Sequence, residues 1–201
     1  YSRSVTPSRA RPTSTARRPP SKTPLMPAIQ SKLEPNSAAF QGNRRRMLEL
    51  VSHLRNLEER TRKESEKAKP LFDKRGQLLP RERIARLLDA GAPWLELASM
   101  AGYCLDNPDP EKTIPGGGII AGIGYVAGVR AMVVASDSGI DAGAIQHMGR
   151  QKLLRAQGLA LENKLPFVHL VESAGANLLK YRVEGFIHGG AIFYNLAKLS
   201  A

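Results

Sequence analysis

The sequence predicts an α/β layered domain preceded by helices and a basic tail, and three observations carry that prediction. Apolar runs at residues 94–97, 119–126, 129–135 and 166–171 are separated from one another by turns or by a helical pattern. From residue 119 onward the order is strand, strand, helix, strand, helix, the alternation of a layered α/β fold. The third observation is the stretch Val168-His169-Leu170-Val171-Glu172-Ser173-Ala174-Gly175-Ala176-Asn177, which passes abruptly from bulky apolar residues to small ones. Such a strand end presents bare backbone N–H groups, and preorganised donors of that kind stabilise developing negative charge.

The elements follow in chain order. Residues 1–33 contain no Asp or Glu, while Arg3, Arg9, Arg11, Arg17, Arg18, Lys22 and Lys32 are basic amid Ser, Thr and Pro. A segment so poor in apolar residues cannot offset its ordering entropy, so a disordered tail is expected. Three readings stand for it: upstream sequence read through to a start at Met26, an Arg- and Ser-rich transit peptide, or a nucleic-acid-binding arm. The first two are favoured over the third, because no aromatic residues are interleaved to stack bases. Pro7, Pro12, Pro19, Pro20, Pro24 and Pro27 weigh against a transit helix.

Pro35-Asn36-Ser37 predicts a helix entry, and Met47, Leu50, Val51, Leu54 and Leu57 recur at helical spacing until Pro70 ends the pattern. Its charged faces are expected to be solvated. Arg81 to Leu88 is a short helix with Pro80 near its first position, closed by Asp89-Ala90-Gly91. A strand at 94–97 follows. Pro115-Gly116-Gly117-Gly118 is a tight turn into the strand 119–126, and Ala127-Gly128 joins it to the strand 129–135 as an antiparallel hairpin. A helix at 148–163 with Leu153, Leu154 and Leu161 on its apolar side, a strand at 166–171 and a helix at 191–199 complete the chain. The expected organisation is a tail at 1–33, a helical segment at 34–90 and a partial α/β domain at 91–201.

Composition narrows the chemistry. With 201 residues and 42% hydrophobic content, the chain supports one ordinary core and a tail. No apolar run approaches the roughly 20 residues of a membrane span. Cys104 is the only cysteine, which excludes an internal disulfide and a four-cysteine zinc site and fits a reducing compartment. The histidines His53, His147, His169 and His188 show no metal-ligand spacing, so no metal is expected. The net charge of +12 sits largely in the tail.

Several motifs fail on context. Gly122-Ile123-Gly124-Tyr125-Val126-Ala127 matches a dinucleotide fingerprint, but it runs into Gly128 and another strand where the motif must open a helix. Pro115-Gly116-Gly117-Gly118 lacks the Lys and Ser/Thr of a phosphate loop, so Gly117 and Gly118 are read first as turn glycines and second as glycines that admit a ligand. Asp137-Ser138-Gly139 has no accompanying His and Asp arrangement, and Ser173 lacks a nucleophile elbow.

A set of small-residue loops at strand ends remains, and with their flanking segments they are recognisable. Leu79-Pro80-Arg81-Glu82-Arg83-Ile84, Leu87-Leu88-Asp89, Pro115-Gly116-Gly117-Gly118-Ile119-Ile120, Leu154-Arg155-Ala156-Gln157 and Glu172-Ser173-Ala174-Gly175-Ala176-Asn177 together resemble the carboxyltransferase β subunit of biotin-dependent acyl-CoA carboxylases. The likeness runs from about residue 33 to residue 201. It implies a crotonase-like ββα superhelix, incomplete here, that binds an acyl-CoA thioester. It also implies biotin carried by a biotinylated α subunit, a homo-oligomeric β core, and a fragment that is inactive without the family's second half. In that chemistry the biotin anion is the base, and the protein donates hydrogen bonds to the thioester oxygen.

Carried over by position, Ala174, Gly175 and Ala176 are the expected oxyanion donors, and Gly143 and Ala144 the acyl-CoA loop. The family usually has a glycine pair at Ala174-Gly175 and often Lys-Gly-Gly at Asp141-Ala142-Gly143. These departures imply a subgroup with a different acyl substrate, and Asn177 after Gly175-Ala176 resembles the methylcrotonyl-CoA and geranyl-CoA branch. The expected location is the cytoplasm for a bacterial chain, or the mitochondrial matrix if the tail is a transit peptide. Two other classes are carried as alternatives. A crotonase-like hydratase or isomerase would need Glu172 or Asp141 over the thioester, and a basic nucleic-acid-binding protein would need the tail.

Overall fold

The computed structural model describes residues 31–105, 107–176 and 183–200, with Glu184 and Phe186 described by backbone alone. The expectations for the tail up to residue 30 and for Asn177 lie outside the described residues. The chain divides into two units, 1–41 and 42–201. In the first, Ser37 opens a helix: its Oγ accepts the Phe40 N–H at 3.2 Å, the bond expected of an N-cap residue.

That helix, α1, runs over Ala38–Glu66. Its apolar stripe does not pack as the spacing suggests. Met47, Leu50 and Leu54 are 59%, 65% and 40% exposed, and only Leu57 is buried. The last turns are instead buried through polar residues, Thr61 and Ser65. Periodicity marks an apolar face but not whether another element covers it.

A short helix α2, Lys69–Lys74, takes Pro70 in its first turn, where a missing N–H costs nothing. Helix α3 covers Pro80–Leu87, with Glu82 accepting the Leu79 N–H at 3.0 Å to close its start. Among the described residues four strands form one sheet in the order β1-β2-β3-β4: β1 Leu95–Glu96, β2 Ile119–Val126, β3 Val129–Ser136 and β4 Phe167–Leu170. The first two pairings are antiparallel, and β4 joins β3 in parallel after the crossover helix α4, His147–Asn163. Lys164 adopts the left-handed conformation that ends α4.

Alternation along β2 and β3 creates two cores. Ile119, Ala121, Met132 and Val134 meet Leu153, Ala156 and Ala160 of α4 on one face. Ile120, Ala131, Val133 and Ala135 meet Ile84 of α3 on the other. The dinucleotide-like glycines lie inside β2, and a Cβ on Gly122 would fall 2.4 Å from the Trp94 ring. Close packing under Trp94 accounts for that glycine.

Helix α5 spans Val183–Leu199, eight residues earlier than the sequence pattern suggests. Gly185, Gly189 and Gly190 disfavour a helix locally and hide its start. Packing overrides that preference. Ile192 and Leu199 pack on the α4 side of the core, and a Cβ on Gly185 would lie 2.8 Å from the Arg150 guanidinium, which a larger residue would have to displace. Among the described residues no helix is long and apolar enough to cross a membrane.

Candidate functional site

Strand polarity gathers three loops at one end of the sheet. Ile119, the first residue of β2, pairs with Ser136, the last of β3, while Ala135 pairs with Leu170 at the end of parallel β4. The 115–118 turn, the segment 137–146 and the segment 171–176 therefore emerge side by side. This is the end of an α/β sheet at which ligands are commonly held.

Backbone bonds knit the loops together. Asp137 N–H donates to Gly118 O at 2.9 Å, Ala174 N–H to Ala142 O at 3.0 Å, and Ile145 N–H to Gly175 O at 2.8 Å. Ser173 Oγ donates to Gly143 O at 2.6 Å and accepts the Gly175 N–H at 3.0 Å. Ile145 and Ala176 form a parallel bridge.

These contacts sort the expected donors. The Ala174 N–H is committed to Ala142, so it is not directed at a ligand, and the Gly175 N–H is engaged by its own neighbour. Ala176 N–H has no partner among the described residues. Of the three expected oxyanion donors Ala174, Gly175 and Ala176, the first is bonded across to the other loop and the second within its own, which leaves Ala176 N–H open among the described residues.

The second loop is strained. Asp141, Ala142 and Gly143 have φ of 46°, 50° and 71°, three consecutive left-handed residues of which only one is glycine. Each non-glycine residue there costs roughly 1–2 kcal/mol, and such strain persists only where surroundings over-determine it. A Cβ on Gly143 would stand 2.3 Å from Glu172 O, so the two loops touch backbone to backbone. Gly117 is equally tight, its Cβ position lying 2.6 Å from Gly149 N in the first turn of α4. Gly118 leaves more room, with Ala144 O at 3.4 Å. Close approach of protein to protein explains Gly117 and Gly143 without any ligand.

The carboxylates near the loops are committed elsewhere. Glu172 is held at 3.0 Å by Arg83 Nη1 of α3. Asp141 accepts from Gln146 Nε2 at 3.1 Å and is exposed. The half-buried His169 on β4 has its pKa lowered by burial.

A buried ionic cluster behind the loops has no counterpart in the sequence reading. Arg81 of α3 binds both oxygens of Glu96 on β1, at 2.8 and 2.9 Å. Ser65 Oγ donates to Asp137 Oδ1 at 2.5 Å, Thr61 Oγ1 to Pro115 O at 3.1 Å, and Lys152 Nζ to Gly116 O at 3.4 Å. Lys152 and Asp137 are only 5% and 2% exposed. Burial pushes the Asp137 carboxyl up, and it pulls Lys152 down to about 8. For Glu96, burial acts upward but is outweighed by the Arg81 bonds, so the carboxyl lies below its ordinary range. Partners 15 to 72 residues apart in sequence leave no local spacing by which to find the cluster.

Comparison with known proteins accords with this architecture. The carboxyl transferase domain family matches residues 73–201. The chain is 41% identical over 177 residues to the probable mitochondrial methylcrotonoyl-CoA carboxylase beta chain of Drosophila melanogaster, covering 86% of this chain and 30% of the relative. It is 45% identical over 140 residues to the biotin-dependent 3-methylcrotonyl-coenzyme A carboxylase beta1 subunit of Mycobacterium tuberculosis, covering 68% and 26%. Among solved structures, the geranyl-CoA carboxylase beta subunit of P. aeruginosa superposes with a TM-score of 0.78 at 53% identity, covering 87% of this chain and 32% of that one. The chain therefore spans about a third or less of the length of these relatives. From the family match, the shared sheet and the conjunction of loops at its end, this chain belongs to the carboxyl transferase domain family and has part of its crotonase-like fold.

Proposed function

We propose that the chain forms the acyl-CoA-facing part of a carboxyltransferase β subunit, one that transfers a carboxyl group from carboxybiotin to a branched or unsaturated acyl-CoA of the methylcrotonyl or geranyl type. The observation that carries this reading is the bonded pair of loops at the ends of β3 and β4, which leaves Ala176 N–H without a partner among the described residues. A backbone donor held by two mutually bonded loops needs no reorganisation when charge develops on a thioester oxygen. One such donor contributes roughly 3–4 kcal/mol to the transition state.

Biotin, carried by a partner subunit, would supply both the carboxyl group and the base. The residues present fit that division of labour, since Glu172 is tied to Arg83 and the loops offer backbone donors in place of a free acid or base. The same pairing disfavours the hydratase or isomerase reading, which requires a carboxylate free to move a proton. The proposed partners are a biotinylated α subunit and further copies of the β subunit. The relatives include both mitochondrial and bacterial proteins; the proposed compartment is the cytoplasm for a bacterial chain, or the mitochondrial matrix if the basic tail is a transit peptide. By itself the 201-residue chain is expected to be inactive, because its relatives are about three times longer.

The test is made in the intact carboxylase containing this chain, assayed with methylcrotonyl-, geranyl- and propionyl-CoA. Ala176→Pro removes the unpartnered N–H and lowers kcat by about 100-fold or more. Retained turnover in that variant sinks the oxyanion assignment. Glu172→Gln leaves turnover within about tenfold, whereas a loss of about 100-fold or more would assign acid–base chemistry to Glu172 and favour the hydratase or isomerase class.

A further inference from the structure

Lys152 is a buried cation that the proposed chemistry does not use. It lies on α4 one turn after Gly149, on the face that meets the 115–118 turn. Lys152 is 5% exposed, and its ammonium donates to Gly116 O at 3.4 Å. The next two residues of that turn rest on the site: Gly117 abuts Gly149, and Gly118 abuts Ala144 O while accepting the Asp137 N–H. The turn therefore sits between the ammonium and the strained 141–145 loop. A charged side chain is not needed merely to fill this space, because an apolar one of similar length would avoid the desolvation cost.

We infer that Lys152 is a positioning residue, whose ammonium clamps the Gly116-Gly117-Gly118 turn from behind and thereby sets the backbone of the 141–145 loop for the thioester. The inference rests on the proposed role of that loop. The clamp is long as a hydrogen bond and is reinforced by the field around it. Glu96 from β1 and Asp137 after β3 attract the ammonium, while Arg81 from α3 opposes it. Glu58 and Arg62 from α1 line the same small cavity of about 10 Å³, which has room for one water at most.

Protonation provides a readout that general packing would not move. Burial lowers Lys152 to about 8, against 10.5 for a free lysine. Between those values the unfolded chain binds more protons than the folded one, so the contribution of this group to stability rises with pH. The clamp, by contrast, loses its charge over the same interval. Faster exchange confined to the loop above pH 8 is thus opposite in sign to this residue's effect on global unfolding.

The experiment measures amide hydrogen exchange and kinetics on the intact carboxylase, as wild type, Lys152→Met and Lys152→Gln. In Lys152→Met the amides of Ala144, Ile145 and Ala174 should exchange about tenfold faster, with β2 and β3 unchanged, and kcat should fall about tenfold with KM little altered. Lys152→Gln, which keeps a donor, should recover part of both. The wild-type loop amides, corrected for hydroxide catalysis, should speed up above pH 8, and this step should be absent in Lys152→Met. Wild-type loop exchange in Lys152→Met, or equal acceleration across the whole sheet, overturns the inference. Should Lys152→Met fail to fold, the wild-type pH series decides: a loop-confined step supports the clamp and a flat profile overturns it. A wild-type protein that exchanges as described yet transfers no carboxyl group refutes the proposed function and leaves the clamp standing.

Discussion

The two ends of the β2–β3 pair turn the same chain with different economy. At the hairpin end, Ala127 and Gly128 take φ of 51° and 76°, the geometry of a tight two-residue turn. Asp89 closes it by accepting both of their N–H groups, each at 2.7 Å. Every strained residue there has a nearby partner, and a Cβ on Gly128 would meet nothing within 4 Å. At the loop end, three consecutive left-handed residues lie in a row, the last of them, Gly143, against Glu172 O, and four buried or half-buried ionic groups stand behind them. The hairpin is an inexpensive local turn. The loop end holds a costly conformation that only neighbouring segments enforce, which is the pattern expected where backbone groups are being aimed.

Substitutions at the two ends can break this contrast. The largest effect is expected for Gly143→Ala, which combines a positive φ with a Cβ only 2.3 Å from Glu172 O. Denaturant unfolding should show a loss of about 3 kcal/mol or more. A smaller effect, about 2 kcal/mol, is expected for Asp89→Ala, since the two charge-assisted bonds it loses are partly replaced by water. Thermal melts should show that loss, while amide exchange in the 141–145 loop stays unchanged, because the hairpin and the loop lie at opposite ends of the strands. The smallest is Gly128→Ala, about 1 kcal/mol, from positive φ in open space. If Gly143→Ala cost no more than Gly128→Ala, the loop end would not be the strained one.

Legibility followed the range of the interaction. The β2–β3 hairpin was readable because Ala127-Gly128 and the flanking apolar runs act over a few residues. Helix α4 was readable within one residue of its start. The first half of α5 was not, because its glycines oppose a helix in isolation, and only packing of the helix on the core through Ile192 and Leu199 outweighs them. The α1 stripe was legible as a pattern, yet Met47, Leu50 and Leu54 remain bare while polar Thr61 and Ser65 are buried. At the candidate site, small residues at the ends of β3 and β4 marked loops that the fold brings together. They did not reveal which N–H groups stay available, since Ala174 is consumed by Ala142 across 32 residues of chain.

What is local in this protein was thus written in the amino acids: strand periodicity, turn chemistry, a proline at the start of α3, and family motifs strung in order, although Pro70, read as the end of a helical pattern, in fact opens α2. Those signals act between neighbours and survive without the rest of the fold. Tertiary structure alone decided that Arg81, Glu96, Asp137 and Lys152 share one buried cluster, that Glu172 belongs to Arg83, and that Ala174 N–H is spent on Ala142 while Ala176 N–H has no partner among the described residues. The physical reason is common to all three. Burial, charge pairing and donor availability depend on what folding brings within a few ångströms, and the residues concerned are brought there from segments far apart in the chain.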